Sequence, residues 1–256
     1  MSTINRSLAV CYGVLSYLAF LVAFSYAIGF VGNIGVPRSV DHALAAPAGE
    51  AVALDLVLLG LFAVQHSVMA RPAFKRRWTR ILPQPLERST YVLIASGVLF
   101  LLYWQWRSIP GHVWDVKLTT VRFALWGLFW AGWAIVLATT FMISHLELFG
   151  LRQVYLCWRG QPQTDVGFRL PLLYRVIRHP MMLGFIVAFW AAPTMTSGHL
   201  LFAAATTGYI LLALHLEERD LVTALGAEYV AYRRQVPMLL PQPRRSLPSN
   251  DCLERS

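Results

Sequence analysis

Charge is scarce in this chain. Of its 256 residues only 14% are Asp, Glu, Lys or Arg, where a soluble domain carries about 25%. An ordinary soluble enzyme is thereby excluded, and so are a disordered chain, a collagen and a coiled coil. Cysteine is scarcer still. Cys11, Cys157 and Cys252 stand alone with no CxxC among them, which argues against both a disulfide framework and a thiolate-bound metal. Acidic residues are outnumbered, 13 against 22 Lys and Arg, for a net charge of +9. No internal repeat and no second domain is visible.

Apolar surface is what the chain has. Hydrophobic residues make up 57%, nine of them Trp, and the mean hydropathy is +0.52. Six apolar stretches run over 8–31, 51–70, 90–106, 122–146, 181–196 and 198–215. A membrane crossing takes about 20 apolar residues, with about 17–25 usual. The pattern predicts an all-α polytopic membrane bundle of about six spans. The fifth and sixth stretches are short and read as a tight hairpin, so the count falls to five if one element is re-entrant. The first run begins at Leu8, after a lone Arg6, and is too long for a signal-peptide core; it reads as a retained span. One domain over 1–243 is expected, followed by a disordered polar tail, 244–256.

Lys and Arg are distributed unevenly between the two sides. Eighteen fall on the side of Arg6, the 71–90 and 147–180 segments and the tail; four, Arg38, Arg107, Lys117 and Arg122, fall on the other. Cytoplasmic loops collect such residues, so both termini are expected in the cytoplasm, as an even number of spans requires. The charge therefore reports topology rather than a nucleic-acid partner. After the sixth stretch, Leu221, Leu225, Tyr229 and Tyr232 recur at helical spacing within Glu217–Gln235. This predicts an amphipathic helix at the membrane surface or over the cytoplasmic mouth, ended by Pro237, Pro241 and Pro243.

Ionisable residues inside or beside spans are costly and mark functional candidates. Asp55 and His66 share a face of the second span but lie about 16 Å apart along it. Asp55 reads as structural, near the outer interface; His66 is either functional or solvated by headgroups. His145 ends the fourth span, followed by Glu147, with Gly150 as a natural residue after a helix end. His66, His145, His179 and His215 all fall at the inner ends of their spans. With Glu217 and Glu218 they suggest a polar pocket opening to the cytoplasm. In Arg178-His179-Pro180, Pro sits at a first helical position, which leaves backbone N–H groups for an anion. Gly184, a turn later, permits close approach of a ligand or of another helix. Two Glu at a helix C-terminus are electrostatically unfavourable, and Arg178, Arg219 or a cationic or hydroxyl-rich ligand could compensate.

These pieces form an ordered set. It runs Arg178-His179-Pro180-Met181-Met182-Leu183-Gly184, a hydrophobic hairpin, Leu216-Glu217-Glu218-Arg219-Asp220-Leu221, Gly226-Ala227-Glu228-Tyr229, then Val236-Pro237. It resembles the C-terminal core of the isoprenylcysteine carboxyl methyltransferase and phospholipid methyltransferase superfamily. Met181-Met182 departs from it, since the superfamily often carries a Tyr there. His145-Leu146-Glu147-Leu148-Phe149-Gly150-Leu151-Arg152-Gln153-Val154-Tyr155, Gln65-His66-Ser67 and the 189–203 segment are similar to the NnrU-like branch of bacterial methanethiol S-methyltransferases.

The resemblance implies a bacterial inner-membrane enzyme with a catalytic core at about 145–241. It implies S-adenosylmethionine as methyl donor, and methanethiol, or alternatively hydrogen sulfide, as acceptor. It places the cofactor on Arg178, His179, Pro180, Leu183, Gly184, Tyr209, Glu217 and Glu218, with Gln153 and Tyr155 bracketing the adenine. No metal, no nucleic acid and no obligate protein partner is implied; membrane lipid is the surrounding partner. The nucleophile is a thiolate. His145, or else His66, could take the thiol proton; Arg152 could instead lower the thiol's pKa by its charge, or positioning alone could suffice. The rival readings are a superfamily enzyme acting on a lipid amine or isoprenylcysteine, a membrane haem or metal protein using the inner histidines, and a transporter.

Overall fold

A computed structural model of the chain describes residues 3–164 and 172–241; the tail expected to be disordered lies outside them. Ten α-helices are described, and five are long and apolar enough to cross a membrane. The chain is a polytopic membrane helical bundle. Helix α1 (Thr3–Gly32) is apolar on all sides, as a span in lipid is, and the chain turns at Asn33 with φ 56°. Helix α2 (Ala48–Ala70) returns. It stops at Arg71, which precedes Pro72 and is held extended. The short basic helix α3 (Pro72–Trp78) follows. Helix α4 (Glu87–Gln105) and helix α5 (Thr119–Ile143) are the next spans. A break at Ser144 leads to α6 (His145–Leu148), and Gly150, with φ 86°, separates it from α7 (Leu151–Arg159).

The fifth apolar stretch is not a full span. Helix α8 (Pro180–Trp190) has 11 residues, a rise of about 16 Å against a hydrocarbon core of about 30 Å. Pro193 ends its apolar run, and the chain passes through a tight turn at Ala191 and a bend at Pro193 to β4 (Thr194–Thr196). That strand pairs antiparallel with β3 (His112–Asp115), in the connection before α5. The fifth stretch is therefore helical only over its first part. At the same end, β1 (Leu44–Ala45) and β2 (Arg107–Ser108) pair in parallel.

Helix α9 (Ser197–Leu225) corrects the expected end of the last span. Its 29 residues rise about 43 Å, so it overruns the bilayer thickness, and Glu217 and Glu218 lie within it, not at its C-terminus. The amphipathic helix expected over Glu217–Gln235 is two pieces. Nothing between Leu216 and Leu225 interrupts a helix; Gly226 does, with φ 59°, and α10 (Ala227–Gln235) begins beyond it. Tyr229 and Tyr232 of α10 fold back onto Leu221, Val222 and Leu225.

Two glycines set how α8 sits. A Cβ on Gly184 would lie 2.7 Å from the Gly132 carbonyl oxygen, and one on Gly132 would lie 2.7 Å from the Ala188 nitrogen. The backbones of α5 and α8 touch, antiparallel, as small residues allow in lipid. The main aromatic core, with Phe30, Trp106, Phe129, Trp133 and Phe202, fills the half of the bundle near the β-elements. The other half carries a smaller cluster of Met69, Tyr91, Val92 and Phe149, and the polar groups gather there.

Candidate functional site

Arg178, His179 and Glu218 meet at the start of α8. The Arg178 Nη2 donates to Glu218 Oε1 at 2.8 Å, and His179 Nε2 lies 3.2 Å from the same oxygen. All three are buried. Arg178 also donates from Nη1 to the carbonyls of Arg233 (2.8 Å) and Val236 (3.1 Å). The backbone N–H groups of Arg178 and His179 donate to Pro237 and Met238. Those two N–H groups, expected to be open to an anion, are taken by the segment after α10. The N–H groups of Met181 and Met182, in the first turn of α8, have no acceptor among the described residues. Arg178 thus compensates Glu218, as one of the alternatives above had it, through a buried pair.

Glu217 differs. It is exposed and has no hydrogen bond or ion pair among the described residues. It lies within the field of His179, Glu218, Arg71 and Asp220. Arg71, at the end of α2, donates to Asp220 at 2.6 Å and to the Leu216 carbonyl at 3.4 Å. One face of α9 further into the bundle brings Tyr209 to Ser67 of α2, hydroxyl to hydroxyl at 3.0 Å. His66, one residue earlier, has the Tyr91 hydroxyl at 2.9 Å. The Arg88 guanidinium lies 5.7 Å from the centroid of the Tyr91 ring.

His145 belongs to a neighbouring group. Its Nε2 is 2.7 Å from the Tyr17 hydroxyl and its Nδ1 2.8 Å from Thr140 Oγ1. Phe141 stacks on it at 4.3 Å and Phe149 meets it edge-on at 4.9 Å. Burial holds its pKa below the ordinary value. Phe149 and Tyr17 belong to the same apolar cluster as Tyr91, which borders the His66 group.

The remaining expected residues are placed as follows. Arg152 bonds Thr164 and lies 3.9 Å from Glu147. Gln153 is turned inward, donating to the Glu147 carbonyl, with its Oε1 buried and unpartnered. Tyr155 is 53% exposed. Residues two apart on a helix face different ways, so Gln153 and Tyr155 lie on different sides of α7. Pro180 opens α8, Leu183 makes its first helical hydrogen bond to His179, and Gly184 serves the α5 contact. His215 is exposed and bonded to its own Leu211 carbonyl, apart from the other histidines. Among the described residues no three His, Cys, Asp or Glu could hold a metal. A concavity of about 550 Å³ between α1 and α5, lined by Leu21, Ile28 and Trp130 among others, is apolar and lies away from these groups.

Sequence reasoning missed Arg71, Ser67, Tyr91, Tyr17 and Thr140. Ser67 is the last residue of the Gln65-His66-Ser67 motif and Arg71 follows it by four, so both were within reach. A Tyr or Thr inside an apolar run carries no such signal.

The chain is similar to known proteins along most of its length. The family model of NnrU protein matches residues 55–226. Methanethiol S-methyltransferase of Mycobacterium tuberculosis is 66% identical over 94% of this chain and 99% of its own. Methanethiol S-methyltransferase 2 of Bradyrhizobium diazoefficiens is 54% identical over 93% of this chain and 91% of its own. Nurim of Mus musculus is 34% identical over 66% of this chain and 68% of its own. No solved structure matches. With the match running from the second span through Glu217 and Glu218 to the end of α9, the chain belongs to the NnrU family, alongside the methanethiol S-methyltransferases.

Proposed function

We propose that this chain methylates a small thiol, methanethiol or alternatively hydrogen sulfide, with S-adenosylmethionine as the donor. The observation that carries the reading is the unpaired Glu217 carboxylate beside the buried Arg178–His179–Glu218 group, in a chain 66% identical to a methanethiol S-methyltransferase. The donor supplies a sulfonium methyl group when bound. Its amino-acid end carries an ammonium and a carboxylate. Glu217 would hold the ammonium, and the free N–H groups of Met181 and Met182 with the His179 ring would hold the carboxylate. Tyr209 and Tyr91 offer aromatic faces to a cation. Glu218 and Arg178, paired with each other, position His179 rather than touch the ligand. The apolar walls remove water from a reaction in which a cation and an anion neutralise one another.

The enzyme is placed in a bacterial inner membrane with both termini and this site on the cytoplasmic side, the side of the eighteen Lys and Arg; reporter fusions at each terminus read that orientation. Membranes containing the protein, given S-adenosylmethionine and methanethiol, should release dimethyl sulfide into the headspace. Donor binding without a volatile product would move the acceptor to a lipid. Neither binding nor product in folded protein would end the reading.

A further inference from the structure

We propose that Tyr17 is the catalytic group that takes the thiol's proton, passing its own to His145. This rests on the thiol methylation proposed above and names how that site makes its nucleophile.

The argument begins at Thr140. Its hydroxyl has one hydrogen, and it donates that to the Leu137 carbonyl at 2.7 Å. Its oxygen must therefore accept from His145 Nδ1, 2.8 Å away. His145 is thus the Nδ1–H tautomer, and its Nε2 lone pair accepts the Tyr17 hydroxyl at 2.7 Å. Both ring nitrogens are used, and Phe141 and Phe149 cover the ring. His145 can gain a proton only through Tyr17. The Tyr17 side chain is half-buried, and its oxygen has no other hydrogen-bond partner among the described residues. It is the open end of the pair.

The pair lies at the depth of the proposed donor site. Gly184 of α8 sits between Gly132 and Val136 of the antiparallel α5. His179, five residues earlier, is about 7.5 Å further along, level with about Thr139 and hence with the Thr140 that holds His145. Tyr17 also packs on Phe149, ring centroids 5.9 Å apart, in the cluster that holds Tyr91. The charged groups on the neighbouring elements are Glu147 with Arg152, 3.9 Å apart, and Arg88, 5.7 Å over the Tyr91 ring; His66 on α2 faces the Tyr91 hydroxyl.

The step balances. The thiol S–H bond breaks and its proton goes to Tyr17 Oη. The Tyr17 proton goes to His145 Nε2, leaving an imidazolium. The thiolate's electron pair forms the new S–CH₃ bond, and the donor's C–S⁺ bond breaks with its pair retained on the donor sulfur. The imidazolium returns its proton to solvent through Tyr17 after product leaves.

The test pairs kinetics with a readout that needs no turnover. In full-length protein, Tyr17→Phe should lower the rate at pH 7 by about tenfold or more, within the usual range of proton-transfer catalysis. The loss should shrink as pH rises and the free thiol ionises, while S-adenosylmethionine affinity stays unchanged. His145→Gln keeps an acceptor for the Tyr17 hydroxyl but cannot hold the proton, and it should show the same pH-dependent loss. In donor-free protein, ¹⁵N-histidine spectra should show His145, assigned by its absence in His145→Gln, with Nδ1 protonated and Nε2 bare. A loss equal at all pH values, no loss, or the opposite tautomer overturns the proposal. An inactive wild type that binds no donor would instead overturn the function it rests on.

Discussion

Glu217 and Glu218 are adjacent in sequence and differ in almost every physical respect. Glu218 is buried and paired with Arg178 at 2.8 Å; Glu217 is exposed and unpaired among the described residues. One helical step of about 100° separates a structural carboxylate from one free to bind. Glu217→Gln should leave the melting temperature within the small range of surface substitutions, about 0.5 kcal/mol, and weaken S-adenosylmethionine binding about tenfold, the worth of one charge-assisted contact. Glu218→Gln should lower stability by about 3 kcal/mol, because it leaves the Arg178 guanidinium buried without its counter-charge. Thermal melts and donor titrations of both variants check the contrast; equal effects would show that the two carboxylates share one role. The adjacency was plain in the sequence, but the division of labour was not, since it depends on which way α9 is turned against α8.

At the scale of elements, α8 decides the geometry of the site. Being only 11 residues long, it starts inside the bundle rather than at its rim, and it carries Arg178 and His179 to the depth of α5's last turns. Its position depends on the α5 contact, where no Cβ fits. Gly184→Ala should cost about 1–3 kcal/mol by overpacking against the Gly132 backbone. Gly60→Ala, in α2 with nothing within 4 Å, is the control and should leave the melt unchanged. The measurement is thermal unfolding in detergent, read by tryptophan fluorescence. If the two variants melt alike, the close approach of α5 and α8 is not what positions α8. The hairpin expected over 181–215 was legible as two apolar stretches. That the first is helical only over its first part was not, because apolar length alone does not distinguish helix from the turn and paired strand that follow it.

On the scale of the whole molecule, the two ends behave differently. The end bearing β3 and β4 is closed by Asp41. Its carboxylate accepts from Asn33 at 2.6 Å and from the Thr196 hydroxyl, and it faces His199 at 3.7 Å. Burial alone would raise its pKa. The hydrogen bonds from Thr196 and Asn33 and the nearby His199 ring outweigh that and hold it below the ordinary carboxylate value. A carboxylate with a depressed pKa contributes stability that is present above about pH 4 and is lost as pH falls through its folded pKa. Melting temperature in detergent should therefore fall more steeply below about pH 4 for the wild type than for Asp41→Asn. At pH 7 the Asn variant should be weaker by about 1–2 kcal/mol. Parallel curves would mean that another carboxylate governs the acid loss. The opposite end has no such closure. There the groups are tied by α10 and the following segment, whose carbonyls accept from Arg178 and His179.

Membrane character, the places of the spans and the unequal Lys and Arg distribution are determined by sequence alone. The reason is local: a bilayer demands about 20 consecutive apolar residues per helix, and that length can be counted without knowing any neighbour. The ordered set from Arg178-His179-Pro180 to Val236-Pro237 also carried the family. Tertiary structure alone decided the partners. Tyr17 and His145 are 128 residues apart, and α1, apolar on every side, holds no stripe to say which face turns inward. In a soluble helix the boundary between wet and dry faces would set that rotation. In lipid both faces are dry, so depth and rotation follow from close packing between helices, at contacts such as Gly13 of α1 on Val154, and only the assembled bundle brings Tyr17 to His145.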